Sequence, residues 1–203
     1  MKKAFSLVEI CFVLFIIAAV FFAVVPFSVS NIKQARFISE WKSYMEQVSY
    51  SFETLIEYKK YNNIDEKESA KRLFHYLDAK LVNDKEKYSN YKFKMMNGKF
   101  YQKINIKKFD EIYTDIRGRL FGVEYEKSEC SKTQPCTTVW IDLNGEKGPN
   151  IVGKDILVYE IYKDSVSPYG KGIKVETMKN DCSKIGTGIT CSQFYLLGGD
   201  LKE

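Results

Sequence analysis

Residues 38–55 read ISEWKSYMEQVSYSFETL and carry a regular stripe of large apolar side chains. The stripe recurs at intervals of 3, 4, 3, 4 and 3 residues and consists of Ile38, Trp41, Met45, Val48, Phe52 and Leu55. This spacing places the stripe on one face of a helix. A coiled-coil seam is the alternative, but the pattern breaks near Asn62 and Asn63 after two to three heptads. We therefore expect a domain of the same chain to pack on the stripe.

A second apolar region precedes the stripe and has no polar face. From Phe5 to Val25 the chain holds 21 residues with Glu9 as the only charge. As a helix this run is about 32 Å long, close to the roughly 30 Å thickness of the hydrocarbon layer. Because Lys2 and Lys3 come before it, the positive-inside rule places the N-terminus in the cytoplasm. The sequence thus predicts a single-pass protein of the cytoplasmic membrane, anchored by residues 5–30, with residues 31–203 exported.

The N-terminal region has three alternative interpretations. A cleaved secretory signal would need small residues after Ala23, and a lipoprotein signal would need them before Cys11, but larger side chains stand at both places. A helix buried in a protein core stays open as an alternative.

Glu9 is the unexpected residue of the apolar run. A charge inside a membrane costs roughly 2.5 to 3.5 kcal/mol on insertion scales, so an acid in such a run points to a function.

The stretch KKAFSLVE, residues 2–9, resembles the class III signal of type IV pilins and type II secretion pseudopilins. That signal has a short basic leader, a small residue, Phe, and Glu at the fifth mature position. The resemblance implies that residues 1–4 are a leader and that a bacterial prepilin peptidase cuts between Ala4 and Phe5 and methylates Phe5. Ala4 departs from the usual Gly, which should slow processing. Pro26 corresponds to a helix-kinking proline that many pilins carry.

The resemblance also implies a role for Glu9. In the family, this acid neutralises the N-terminal amine of a neighbouring subunit, and two charges that are each costly in lipid become tolerable as a pair. Glu9 would then be an assembly residue. The alternative left open is a shallow carboxylate that reaches the headgroups or pairs with its own amine at Phe5.

Beyond the stripe, the sequence predicts one more helix and then strands. Residues 65–81 have helical apolar spacing, and acidic residues suit the N-terminal turn. Asn97-Gly98 predicts a hairpin turn, and residues 119–126, 136–143 and 155–162 have the character of strands. The predicted class is α+β, a long N-terminal helix with a membrane-spanning first half, packed on a small antiparallel sheet. The family resemblance implies the same pilin-like architecture.

The segment DLNGEKGPNIVGKD, residues 142–155, could hold a cation. Lys147 and Gly153 occupy places that exclude an EF-hand, but Asp142, Asn144 and Asp155 could form a looser oxygen cage for calcium. The favoured interpretation is a tight connection built from turns, without metal or other cofactor.

Four of the five cysteines lie in the predicted exported part, where an even number favours disulfides. Three pairings are possible, and we favour Cys130 with Cys136 and Cys182 with Cys191, since each pair brackets a short turn. Zinc is less suitable because neither spacing is C-x-x-C.

A basic stretch of the chain is a candidate surface for binding nucleic acid. The formal net charge of +5 alone does not indicate such a partner. Residues 87–108 contain seven lysines and no acid, and the lysines are interleaved with Tyr91, Phe93, Phe100 and Tyr101. The candidate DNA-binding residues are Lys92, Lys94, Lys99 and Lys103. The alternative is a solvated hairpin face.

The sequence shows no enzyme motif, and the single histidine, His75, has no ligand cluster beside it. We expect a structural subunit, a minor pilin or pseudopilin of a type IV pilus or type II secretion filament. Its partners would be prepilin peptidase, other subunits, an inner-membrane assembly platform and membrane lipid. The alternative function is a membrane-anchored extracytoplasmic binding module, with DNA as a candidate ligand.

Overall fold

The computed structural model of the chain describes residues 7–62, 65–101, 106–126 and 129–201. The chain divides into two compact units, Met1–Arg36 and Phe37–Glu203. The helices are α1 Leu7–Asn62, α2 Glu66–Tyr76, α3 Val175–Asp181 and α4 Cys191–Leu196, with short 3-10 turns at Lys85–Tyr88 and Ile106–Lys108. The strands are β1 Ala79–Leu81, β2 Glu111–Asp115, β3 Leu120–Tyr125, β4 Thr137–Asp142, β5 Ile156–Ile161 and β6 Val166–Pro168.

The strands form one antiparallel sheet in the order β1-β2-β3-β4-β5-β6, so each strand pairs with its neighbours in sequence. This confirms the predicted α+β class and the antiparallel sheet. The three strands predicted from sequence correspond to β3, β4 and β5, each shorter by a residue at either end. Neighbouring antiparallel strands can be joined by short turns, but residues 82–110 between β1 and β2 form a much longer connection.

The apolar stripe of α1 packs on one face of the sheet, as the sequence predicts. Trp41, Val48 and Leu55 are fully buried, and Ile38 is partly buried against the same cluster. The facing sheet residues are Phe121, Val123, Val139, Ile141, Leu157 and Tyr159. This contact forms the larger of two cores.

A second core covers the opposite face of the sheet. There, Trp140 and Val158 are packed against Phe93 and Phe109 of the segment that joins β1 to β2. Because both faces are covered, the first four residues of β3 and of β5 are all buried instead of alternating between buried and exposed.

Two local predictions need correction. The second helix ends at Tyr76 and not at residue 81, because Asp78 has a positive φ of 55° and the next residues form β1. The predicted turn at Asn97-Gly98 is present, but its hairpin is short. One antiparallel bridge joins Lys94 to Phe100, and the backbone N–H groups of Met95 and Tyr101 donate to the carbonyls of Lys99 and Phe93. The backbone of Lys94 also bonds to Asn150 and Val152.

The predicted localisation is also wrong. Crossing the hydrocarbon layer takes about 20 consecutive, predominantly apolar helical residues. Within the residues that the structure describes, no helix is both long enough and apolar enough to do so. The single-pass arrangement in the inner membrane, with a cytoplasmic N-terminus and an exported C-terminal domain, is therefore overturned.

Candidate functional site

The residues of the predicted leader and cut, including Ala4 and Phe5, lie outside the described residues. Glu9 is described, and it is exposed in the first turn of α1. A carboxylate there interacts favourably with the positive end of the helix dipole. The helix continues through Pro26.

An apolar segment, Leu7–Phe22, forms the beginning of α1 and is exposed throughout. Its large exposed side chains are Leu7, Val8, Ile10, Phe12, Val13, Leu14, Phe15, Ile16, Ile17, Val20, Phe21 and Phe22. Residues 12–17 are consecutive, and successive helical residues point about 100° apart, so apolar side chains surround the helix. A helix that is apolar on all sides is stable when other apolar groups cover it. The apolar segment is therefore a candidate assembly surface, and it also carries the exposed free cysteine Cys11.

A groove runs between α1 and β6, with a volume of about 480 Å³. Its apolar floor contains Met45 of α1, Val166 and Pro168 of β6, and Leu196 of α4. Charged side chains of α1 line the rim. We call this feature the α1–β6 groove.

A buried polar network, which no pattern in the sequence indicates, joins α1 to the sheet. Arg119 donates from Nε to Asp115 Oδ2 at 2.5 Å, and both side chains are almost completely buried. The guanidinium lies 4.7 Å from the ring centre of Tyr44, whose hydroxyl is 3.2 Å from that of Tyr159. Burial and the neighbouring Tyr159 raise the pKa of Tyr44. The network therefore places one ion pair and two tyrosine hydroxyl groups where α1 packs on the sheet.

The structure brings Asp142, Asn144 and Asp155 together, as the calcium prediction requires. Asn144 donates from its backbone N–H to Asp142 Oδ1 at 3.0 Å and from Nδ2 to Asp155 Oδ2 at 3.3 Å. The Tyr91 hydroxyl donates to Asp142 Oδ2, and the backbone N–H of Ile151 donates to Asp155 Oδ1. All four carboxylate oxygens therefore accept hydrogen bonds from the chain itself.

The two carboxyl groups of this loop are in an unusual electrostatic state. Burial, reinforced by the charge of Asp155, raises the pKa of Asp142 to about 8. Burial also raises the pKa of Asp155. The described residues contain no cluster of three or more His, Cys, Asp or Glu side chains suited to a metal. Calcium stays a prediction.

The structure brings two of the four candidate DNA-binding lysines close together. The ammonium groups of Lys92 and Lys94 lie 5.6 and 5.7 Å from the ring centre of Phe100, which is half exposed. Lys99 is exposed as well, and Lys103 lies outside the described residues. Tyr91 and Phe93, two of the interleaved aromatic residues, are buried in the second core and offer no stacking surface.

Both predicted disulfides are present. Cys130 is bonded to Cys136 and Cys182 to Cys191, across sequence separations of 6 and 9 residues. Closing such short loops stabilises a fold by about 2 to 3 kcal/mol each in the chain-entropy description. Cys182 and Cys191 are buried in the larger core, where they fix α4 beside α3.

Comparisons of the chain with family models, with curated proteins and with solved structures found no match.

Proposed function

We propose that the chain is a structural subunit of a pilin-like filament, a minor pilin or pseudopilin of a type IV pilus or type II secretion apparatus. A prepilin peptidase would remove residues 1–4, and the processed subunits would join through their N-terminal helices. The proposal concerns assembly and leaves no catalytic role to the chain.

The apolar segment at the start of α1 carries this proposal. It continues, within one helix, into a stripe that is covered by the chain's own sheet, whereas its own side chains are exposed. This difference would be explained if α1 helices of other copies packed against these exposed side chains. The leader-like residues 2–9 support the same conclusion independently of the fold.

Leader removal can be tested by intact-mass measurement of the chain from cells with an active prepilin peptidase. We expect a chain that starts at Phe5 and carries one additional methyl group. An Ala4→Gly variant should be processed at least as fast, because it restores the usual residue before the cut. Recovery of only the full-length chain would remove the central claim.

Assembly can be tested with Glu9→Gln, which keeps the side-chain shape and removes the charge. The variant should be processed normally, because the cut lies four residues earlier, but it should be depleted from sheared filaments. Breaking one side of a buried charge pair costs about 3 to 5 kcal/mol. Native levels of the processed variant in filaments would show that Glu9 is not the assembly residue.

Cys11 offers a direct probe of contact between copies, since it is a free thiol within the apolar segment. A short thiol-reactive cross-linker should join copies in assembled material and leave Cys11→Ser chains unlinked. Equal cross-linking of dissociated and assembled chains would contradict packing through this segment.

A second candidate function is binding of an anionic polymer such as DNA. It is favoured by one observation, the placement of Lys92 and Lys94 beside the half-exposed ring of Phe100. A Phe100→Ala variant should then bind single-stranded DNA more weakly, by about 1 to 3 kcal/mol for one lost stacking contact. Equal binding by the variant and the parent chain would exclude this site.

A further inference from the structure

The α1–β6 groove is open, and its shape and chemistry limit what can occupy it. Its floor is apolar, but the strand beside it has only three residues and ends in Pro168. A short edge strand with proline is poorly suited to pairing with an added strand. Side chains presented by a helix are therefore the better occupant.

The rim of the groove has an acidic excess. Glu46 and Glu53 of α1 line it together with a single cation, Lys42. Both carboxylates are exposed, and among the described residues neither has an ion-pair partner. An occupant with a small apolar group and two positive charges would complement this rim.

A turn of α1 has this composition. Ile32 is two-thirds exposed, and Lys33 and Arg36 are exposed three residues apart on the helix. Residues i and i+3 or i+4 of a helix lie on the same side, so Ile32, Lys33 and Arg36 form one patch. We call residues 32–36 the basic turn.

We propose that the α1–β6 groove receives the basic turn of a second copy of this chain. Lys33 and Arg36 of one copy then pair with Glu46 and Glu53 of the next, and Ile32 contacts the apolar floor. This inference rests on the proposed function and adds to it the contact that orders one subunit against another.

The geometry of this contact favours an open assembly. The basic turn and the groove are different surfaces of one chain, so the contact is heterologous and leaves one unused surface at each end. The contact involves three side chains of the basic turn, whereas a stable interface buries roughly 1,200 to 2,000 Å². It sets the register of subunits that the apolar segment holds together, and each added copy repeats it.

Charge reversal provides the test, using the full chain after leader removal and sedimentation of assembled material as the readout. Lys33→Glu/Arg36→Glu places acids opposite acids, and Glu46→Lys/Glu53→Lys places cations opposite cations. We expect the concentration needed for assembly to rise by about tenfold or more in each variant. The chain with all four changes, and an equimolar mixture of the two variants, should assemble like the parent chain.

Lys154→Glu/Lys179→Glu is the matched control, because it changes the net charge by the same amount at exposed positions away from the groove. It should assemble normally. The inference is overturned if the parent chain assembles and the reversed variants do so equally well, or if the fourfold change does not restore assembly. A discrete closed dimer in place of sedimenting material would also overturn it. If the parent chain does not assemble at all, the proposed function fails, and this inference fails with it.

Discussion

The two ends of α1 differ in how their apolar side chains are covered. In the apolar segment, Phe15 and Phe22 are 72% and 84% exposed, whereas Trp41 and Val48 in the later part of the helix are fully buried. The later part has a stripe with polar residues on its other faces, whereas Glu9 is the only charged residue of the apolar segment. The period of the apolar pattern therefore indicates where the cover comes from. The single stripe is covered by the same chain, whereas the unbroken apolar surface is not.

The strongest test of this comparison truncates one aromatic ring in each region. Trp41→Ala should lower the free energy of unfolding by about 3 to 5 kcal/mol, because it opens a cavity in the larger core. It also removes the hydrogen bond from Trp41 Nε1 to the carbonyl of Ser192, at 2.9 Å. Phe15→Ala should change this free energy by less than about 0.5 kcal/mol. Denaturant unfolding followed by circular dichroism measures both.

When assembly is measured instead of stability, Phe15→Ala should have the larger effect of the two variants. Phe15→Ala should impair sedimentation of assembled chains while leaving the fold intact. If Phe15→Ala destabilises the fold as much as Trp41→Ala does, the apolar segment is covered within its own chain and the comparison is wrong.

A pH titration should also distinguish the sheet, which contains Asp142 in β4, from the apolar segment. The unfolded chain ionises Asp142 near pH 3.8, whereas burial raises the pKa of Asp142 in the folded chain to about 8. Between these values the folded chain binds the additional proton, so raising the pH favours unfolding. We expect a loss on the order of 3 kcal/mol between pH 5 and pH 8. The apolar segment contains no such buried carboxyl group, and its only acid, Glu9, is exposed.

Asp142→Asn is the control for this titration, since it keeps the shape of the side chain and cannot ionise. The variant should show a flatter dependence of unfolding free energy on pH, measured with a chelator present so that cations do not contribute. An equally steep profile in the variant would assign the pH dependence to other groups.

The sequence predicts those parts of the fold that depend on local periodicity. The stripe from Ile38 to Leu55 and the strands β3 to β5 have regular patterns, and the short spacing of the cysteines indicates their pairing. The end of the second helix near Asp78 is not predicted by local periodicity. A helical apolar pattern continues past it, but pairing of β1 with β2 ends the helix, and that pairing joins residues more than 30 positions apart.

The candidate sites depend on contacts that no local pattern reveals. Tyr91 reaches Asp142 across 51 positions, and Tyr44 reaches Tyr159 across 115. In sequence, Tyr91 and Phe93 resemble a stacking surface because they alternate with lysines. In the fold, the sheet needs apolar cover on its second face, and these two rings provide it.

The smallest expected effect concerns how α1 is positioned on the sheet. Tyr44 lies beside the apolar stripe, and its hydroxyl contacts that of Tyr159 at 3.2 Å, with both rings fully buried. Tyr44→Phe keeps the ring under Arg119 but leaves the Tyr159 hydroxyl buried without its partner, which should cost about 1 to 2 kcal/mol. Tyr50→Phe, at an exposed position of the same helix, should cost almost nothing.

Removing both buried hydroxyls should cost no more than removing one, because no unsatisfied group then remains. A double variant whose loss equals the sum of the two single losses would show that the hydroxyls act independently. The position of α1 would then depend on its apolar stripe alone.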